Sequence, residues 1–185
     1  MTKKIVIIIN GKGGSGKDTL CELAAKHYKV KKISAITPIK DIAKVNGWNG
    51  EKDEKSRKLL SDLKRVFIEY NDLPTKYLLS QYQEFSKDKE TEILFVDIRE
   101  PDEINKLKQQ IEGACVTLLI KRPSVDSIII GNDSDDQVDT MDYDYYFVNN
   151  KSISYIENEF VELIKVIINS NWGCFWIEIL TKNSR

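Results

Sequence analysis

Apolar residues follow two alternating rhythms along this chain. Runs at Ile5-Val6-Ile7-Ile8-Ile9, Ile93-Leu94-Phe95-Val96 and 114–120, the last interrupted only by Thr117, have the length and branched content of strands buried on both faces. Val30–Ile33, apolar at its two ends, and the run at 145–148 predict two more short strands. Between them, apolar positions recur every third or fourth residue, as a helix with one buried face requires. Leu20, Leu23 and Ala24 mark a helix over 17–28. Leu59, Leu60, Leu63, Val66, Phe67 and Tyr70 fall on one arc of a helix over 54–70. Tyr77, Leu78, Gln81, Tyr82 and Phe85 share one side of a helix over 74–86. Ile104, Leu107 and Ile111 face inward from a helix opening at Pro101, and Ile156, Phe160, Leu163, Ile164 and Ile167 line the last one. Strand and helix alternate, which predicts an α/β fold: a central parallel sheet of about five strands, flanked by helices on both faces.

End signals sharpen some boundaries. Thr37 followed by Pro38 reads as the N-cap and first residue of a helix that ends near Gly47. Ser154 and Glu157 have the spacing of a capping box. His27, the only histidine, falls near the end of its helix with nothing nearby to pair with. It reads as a surface residue rather than a catalytic one.

Composition narrows the class. A chain of 185 residues fits a single domain over 1–185 with a real core. The net charge of -1 argues against a nucleic-acid or membrane-surface protein driven by bulk electrostatics. The apolar runs are too short to span a bilayer. Met1-Thr2-Lys3-Lys4-Ile5 shows no signal-peptide features. Cys21, Cys115 and Cys174 are odd in number, far apart and without metal-ligand spacing, which fits a reducing, cytoplasmic setting.

Chemistry concentrates just after the first strand. Gly11, Lys12, Gly13, Gly14, Ser15, Gly16, Lys17, Asp18 and Thr19 form a glycine-rich loop that ends in Gly-Lys and leads into a helix. Glycines let successive backbone N–H groups curl around a polyphosphate, and the helix N-terminus adds donors and a favourable dipole. Lys17 then reaches the outer phosphates as a mobile charge. The residue after the lysine is usually Ser or Thr. Here it is Asp18, which reads either as a Mg²⁺ ligand or simply as a favourable acid in the first helical turn. Thr19 is placed to hydrogen-bond an α-phosphate. Asp97 ends the 93–97 strand, where ligands gather in open α/β sheets, and is a second candidate for the Mg²⁺ site.

The arginines add a clue. Of 28 basic residues only five are Arg: Arg57, Arg65, Arg99, Arg122 and Arg185. Arg99 and Arg122 follow the ends of predicted strands. Arg57 and Arg65 lie with Ser61 and Lys64 on a basic helix face, open to reading as solvated surface or as phosphate-binding. Planar bidentate recognition of phosphate needs Arg rather than Lys. Residues 124–142 are acidic and poorly patterned, and read as a lid (about 121–142) or as a plain surface loop. The segment Trp172–Leu180 is unusually apolar for a C-terminus and implies packing on the core or a homodimer contact.

Over about residues 4–168 the chain resembles the deoxynucleoside monophosphate kinases of bacteriophages and bacteria, a group similar to phosphomevalonate kinase and adenylate kinase. Ser15-Gly16-Lys17-Asp18-Thr19 matches that family's loop, aspartate included. Thr37-Pro38-Ile39-Lys40 resembles its A-x-P-L/I-K segment, which borders the monophosphate site. Residues 52–63 resemble its K-D-x-x-S/G-R-x-L-L-Q-x-L helix, and Asp97-Ile98-Arg99-Glu100-Pro101-Asp102-Glu103 its D-V-R-F-P-N-E segment. Residues 145–150 resemble its last strand and I-x-N-N-G turn, with Lys151 where the glycine falls. The resemblance implies a P-loop NTPase fold with a helical acceptor-binding insertion at about 37–90. It implies ATP held by the loop, and Arg57, Lys64 and Arg99, bordered by Lys40, holding an acceptor monophosphate. Arg122 is then expected to close over the transferring phosphoryl group, with Asp18 and Asp97 around Mg²⁺. The alternatives are a small-metabolite kinase of the phosphomevalonate or dephospho-coenzyme A type, and an ATP-binding regulatory module without phosphotransfer.

Overall fold

β1 (Ile5–Asn10) is buried at all six of its residues, which places it in the middle of a sheet covered on both faces. This arrangement comes from a computed structural model that describes residues 3–51, 53–126 and 137–171. The other strands are β2 (Val30–Ser34), β3 (Ile93–Asp97), β4 (Cys115–Lys121) and β5 (Tyr145–Val148). The sheet order is β2-β3-β1-β4-β5 and every pairing is parallel. β1 therefore has β3 on one side and β4 on the other. Their carboxyl ends meet in register, with Ile9 opposite Asp97 and Asn10 opposite Leu119.

The helices are α1 (Lys17–Ala25), α2 (Thr37–Val45), α3 (Glu54–Asn71), α4 (Leu73–Lys87), α5 (Pro101–Lys108), the single turn α6 (Pro123–Asp126) and α7 (Ile153–Ser170). Strand alternation sorts them into two layers. Ile5, Ile7 and Ile9 face a core shared with α1 and α7. Val6 and Ile8 face a second core shared with α4 and α5. Phe160 of α7 is fully buried, stacks on Phe95 at 6.4 Å and meets Phe147 edge-on at 5.1 Å between ring centroids. Truncating such a residue to Ala costs about 3–5 kcal/mol.

Several boundaries differ from the sequence expectation, each for a local reason. Thr37 is the first residue of α2 rather than its N-cap, and Ile36 takes the cap position. Ser154 lies inside α7, which begins at Ile153 after Ser152 without a side-chain cap, and the Glu157 carboxylate bonds Lys26 at 2.8 Å and His27 at 3.1 Å. His27 thus has a partner, in an ion pair that ties the end of α1 to α7. The two hydrogen bonds hold the Glu157 carboxyl below its usual range. The apolar arc of α3 is only partly covered, with Leu59, Val66 and Tyr70 at 42%, 49% and 79% exposure. α3 packs chiefly on α2 and α4 instead of lying on the sheet. Its start is well made, since the Asp53 carboxylate accepts the Ser56 N–H at 2.7 Å.

Cys21 and Cys115 are free thiols, and burial pushes each up to about 12, so neither is a thiolate at neutral pH. Cys174, the apolar segment 172–180 and the acidic stretch 127–136 lie outside the described residues. No described helix is long and apolar enough to cross a membrane.

Asp144 fixes the approach to β5. It accepts the Thr117 N–H at 2.7 Å, the Thr117 hydroxyl at 2.8 Å and the Lys108 ammonium at 3.1 Å. Burial works to raise its carboxyl, but these hydrogen bonds together hold it below the ordinary Asp value. Its stabilising contribution is therefore complete above the unfolded pKa and is lost as pH falls through the lower folded one. In thermal melts, Asp144→Ala should lower Tm by a constant amount from pH 7 down to about pH 4, and the gap should narrow below that. A gap independent of pH would contradict this role.

Candidate active site

The chain leaves β1 with no room for side chains at two loop positions. Gly11 has φ +145°, and a Cβ there would lie 2.5 Å from the Ile120 carbonyl oxygen and 2.8 Å from Ser15 Oγ. Gly16 has φ +92° and immediately precedes α1. Its Cβ would lie 2.3 Å from Asn149 Nδ2. Between them the Ser15 N–H closes a turn on the Lys12 carbonyl at 3.1 Å, and Leu20 makes the first helical bond back to Gly16 at 3.0 Å. Lys17 is 7% exposed, and its ammonium donates to the carbonyls of Gly11 and Lys12. The charge therefore lies inside the curl of the loop.

Neighbouring elements brace this loop. Asn149, just past β5, donates from Nδ2 to the Ser15 carbonyl at 2.8 Å, and its own N–H bonds the Lys121 carbonyl at 2.7 Å. Arg122, just past β4, donates to the Gly14 carbonyl at 3.2 Å. Asp139 lies 3.7 Å from the Lys12 ammonium and 4.0 Å from that of Lys121. Loop, Arg122 and the described end of the 121–142 segment therefore come together.

The acids are held differently from one another. The Asp97 backbone carbonyl accepts the Ala35 N–H at 3.1 Å, while its carboxyl Oδ1 is buried without a hydrogen-bond partner. Burial raises the neighbouring Cys21 thiol first. The Asp97 charge raises it further and Lys17 pulls the other way, so carboxylate and ammonium flank one side chain. Asp18, in the first turn of α1, is exposed and engaged by the Lys32 ammonium of β2. Burial lowers Lys32; Asp97 opposes that shift and Lys40 of α2 adds to it, so Lys32 and Lys40 share the Asp97 side of the site. Thr19 is exposed.

The basic face of α3 divides. Lys64 is nearly buried and paired with Glu100 at 2.6 Å and Glu103 at 2.9 Å. Burial raises the Glu103 carboxyl, against the pull of Lys64. Lys64 therefore serves first to neutralise these acids beside Arg99, which the sequence expectation of a phosphate-facing lysine did not include. Arg57 is exposed, and Arg65 pairs with Glu69 at 3.6 Å on the surface. The Arg99 carbonyl accepts a hydrogen bond from Asn10 Nδ2 at 3.1 Å.

Among the described residues, no group of three or more His, Cys, Asp or Glu side chains converges as an all-protein metal site. Mg²⁺ at phosphate sites needs only one or two carboxylates, because phosphates and waters complete its shell. The unpartnered Asp97 oxygen fits that requirement. Asp18 fits less well while Lys32 holds it. Asn10, Lys32 and Glu100 are site residues that motif reading passed over. The one visible signal was an asparagine ending an otherwise apolar strand.

No family model matches the chain, and no curated protein matches it. Solved structures do. Dephospho-CoA kinase from Campylobacter jejuni superposes with a TM-score of 0.57 at 16% identity, covering 90% of this chain and 98% of that one. A sugar kinase from Janibacter sp. HTCC2649 superposes at 0.52 and 12% identity, covering 89% and 94%. At such identities the likeness establishes the fold. The chain has the α/β P-loop NTPase fold.

Asn149→Ala removes the donor to the Ser15 carbonyl, and one hydrogen bond of this kind contributes about 0.5–1.5 kcal/mol. Denaturant unfolding of Asn149→Ala should show a loss of stability of about that size. Unchanged stability would mean that this bond adds nothing to the hold on the loop.

Proposed function

We propose that this protein transfers the γ-phosphoryl group of ATP to a nucleoside or deoxynucleoside monophosphate, releasing ADP and the diphosphate. The observation that carries this reading is the loop itself: glycine-only geometry at positions 11 and 16, with the Lys17 ammonium held inside the curl. Loop N–H groups and Lys17 bind the donor phosphates. Asp97 supplies the carboxylate for Mg²⁺, which when bound neutralises phosphate charge. Arg99, Arg57 and Lys40 orient the acceptor phosphate. Arg122, already bonded to the Gly14 carbonyl, lies beside the loop that carries the departing group.

An acceptor that is itself a phosphate is ionised at neutral pH and needs no strong base. The residues then act by positioning and by charge, the main resources in phosphoryl transfer. The motif resemblance around Lys40, Arg57 and Arg99 supports a monophosphate acceptor. A second reading, a hydroxyl-bearing metabolite, is favoured by one feature: the unpartnered Asp97 oxygen is suited to take a proton from an attacking hydroxyl.

ADP release from ATP and Mg²⁺ separates these readings. It should be stimulated by one or a few members of a panel of ribo- and deoxyribonucleoside monophosphates, and not by dephospho-coenzyme A or phosphomevalonate. Lys17→Ala should reduce that turnover at least about 100-fold, the scale set by losing one group that stabilises transition-state charge. Stimulation by dephospho-coenzyme A alone would transfer the assignment to the hydroxyl acceptor. ATP binding without stimulation by any acceptor would overturn the kinase reading.

A further inference from the structure

We propose that Asn10 and Tyr143 are a pair of positioning residues that fix the backbone at Arg99 against the ATP loop, holding acceptor and donor phosphates in register. The proposal rests on the reading of Arg99 as an acceptor-binding residue.

Asn10 is the last residue of the central strand and is completely buried. Its amide is fully used. Oδ1 accepts the Gly11 N–H at 2.7 Å, while Nδ2 donates to the Arg99 carbonyl at 3.1 Å and to the Tyr143 hydroxyl at 2.7 Å. The hydroxyl passes the connection on by donating to the Val138 carbonyl at 2.8 Å. The Tyr143 N–H is anchored on the Tyr146 hydroxyl at 3.0 Å. One side chain therefore touches the first residue of the donor loop, the backbone of the acceptor arginine and the segment that runs from Val138 to β5.

The amide has one workable orientation. Rotating it would set Oδ1 against the Arg99 carbonyl and Nδ2 against the Gly11 N–H, acceptor on acceptor and donor on donor. Its orientation is thus dictated by both loops together, and it ties the position of each to the other. Tyr143 keeps its proton at physiological pH as any tyrosine does, so it can serve as both donor and acceptor, and burial pushes its hydroxyl further up, to about 12. The same segment is also fastened at the surface, where Asp139 pairs with Lys12 and Lys121. Apolar residues precede Asn10 along β1, and an apolar side chain in its place would avoid the cost of burying an amide. An amide here is best explained by what it joins. Two phosphate groups must meet in line, and errors of about 1 Å between them cost on the order of 100-fold in rate.

The test uses Tyr143→Phe, which keeps the ring and removes the hydroxyl, with Asn10→Ser as a second variant. Each is assayed for thermal stability, for ATP affinity and for KM with each ribo- and deoxyribonucleoside monophosphate. Both variants should fold, with acceptor KM raised about five- to tenfold, the effect of one to two hydrogen bonds. Tyr143→Phe leaves the Asn10 bond to the Gly11 N–H in place and should bind ATP within about twofold of the parent, whereas Asn10→Ser also loses that bond and should weaken ATP binding as well. Because the pair acts through Arg99, the Tyr143→Phe effect should vanish in an Arg99→Ala background. A Tyr143→Phe acceptor effect that persists there, or that is matched by an equal loss of ATP affinity in Tyr143→Phe, overturns the proposal. If Arg99→Ala raises acceptor KM but neither variant does, the acceptor reading stands and the proposal alone falls. If Arg99→Ala leaves acceptor KM unchanged, or no monophosphate is a substrate, the acceptor reading falls and the proposal with it.

Discussion

The loop after β1 is pressed between a backbone carbonyl and a side-chain amide, and everything else in the site is arranged around that confinement. The Ile120 oxygen closes the space at Gly11 and the Asn149 amide closes it at Gly16. Both residues have positive φ, where a side chain is strained as well as crowded. A backbone held this tightly presents its N–H groups without further ordering at the moment of binding, which is how a phosphate site avoids the entropic cost of a flexible one. The sheet makes it possible. β4 lies beside β1 and β5 beside β4, so the ends of both strands reach the loop that leaves β1.

Charge is distributed around the loop with little waste. Lys17 is satisfied by loop carbonyls, Arg122 by another, and Lys12 by Asp139. On the other side Lys64 balances two glutamates and Lys32 balances Asp18. Buried or half-buried cations with partners of their own are stable as they stand, and on the proposed function the loop carbonyls around Lys17 are the contacts that an arriving phosphate replaces. Asp97 also has a buried carboxyl oxygen without a hydrogen-bond donor, as do Glu103 and Asp72, and of these three acids it is the one at the carboxyl end of a strand beside the loop. Orphaned buried oxygens are rare enough to need a reason, and binding of a metal or a proton is one.

The layered α/β sheet was legible because strands buried on both faces leave continuous apolar runs, which loops and surface helices do not imitate. The loop was legible because its glycines carry backbone geometry directly in their identity. Contacts that depend on which residues meet in space were not. The α3 arc reads as core, yet Tyr70 is mostly solvent-exposed, since periodicity reports a face and not what covers it. Ser154 and Glu157 have capping spacing, but Lys26 and His27 lie more than a hundred residues away and take the carboxylate. Lys64 looked like the other cations of its helix until two glutamates from α5 and its approach were brought against it. Asn10 acquires its role only when three separated segments converge on it.

The central claim is that phosphate leaves ATP for another phosphate. Phosphorus NMR of the protein with ATP, Mg²⁺ and a mixture of nucleoside monophosphates follows each phosphorus atom directly. The account expects the γ-phosphate resonance of ATP to fall as a diphosphate resonance from one acceptor rises in equal amount. Loss of the γ-phosphate to inorganic phosphate alone, at a rate indifferent to the monophosphates, would contradict it.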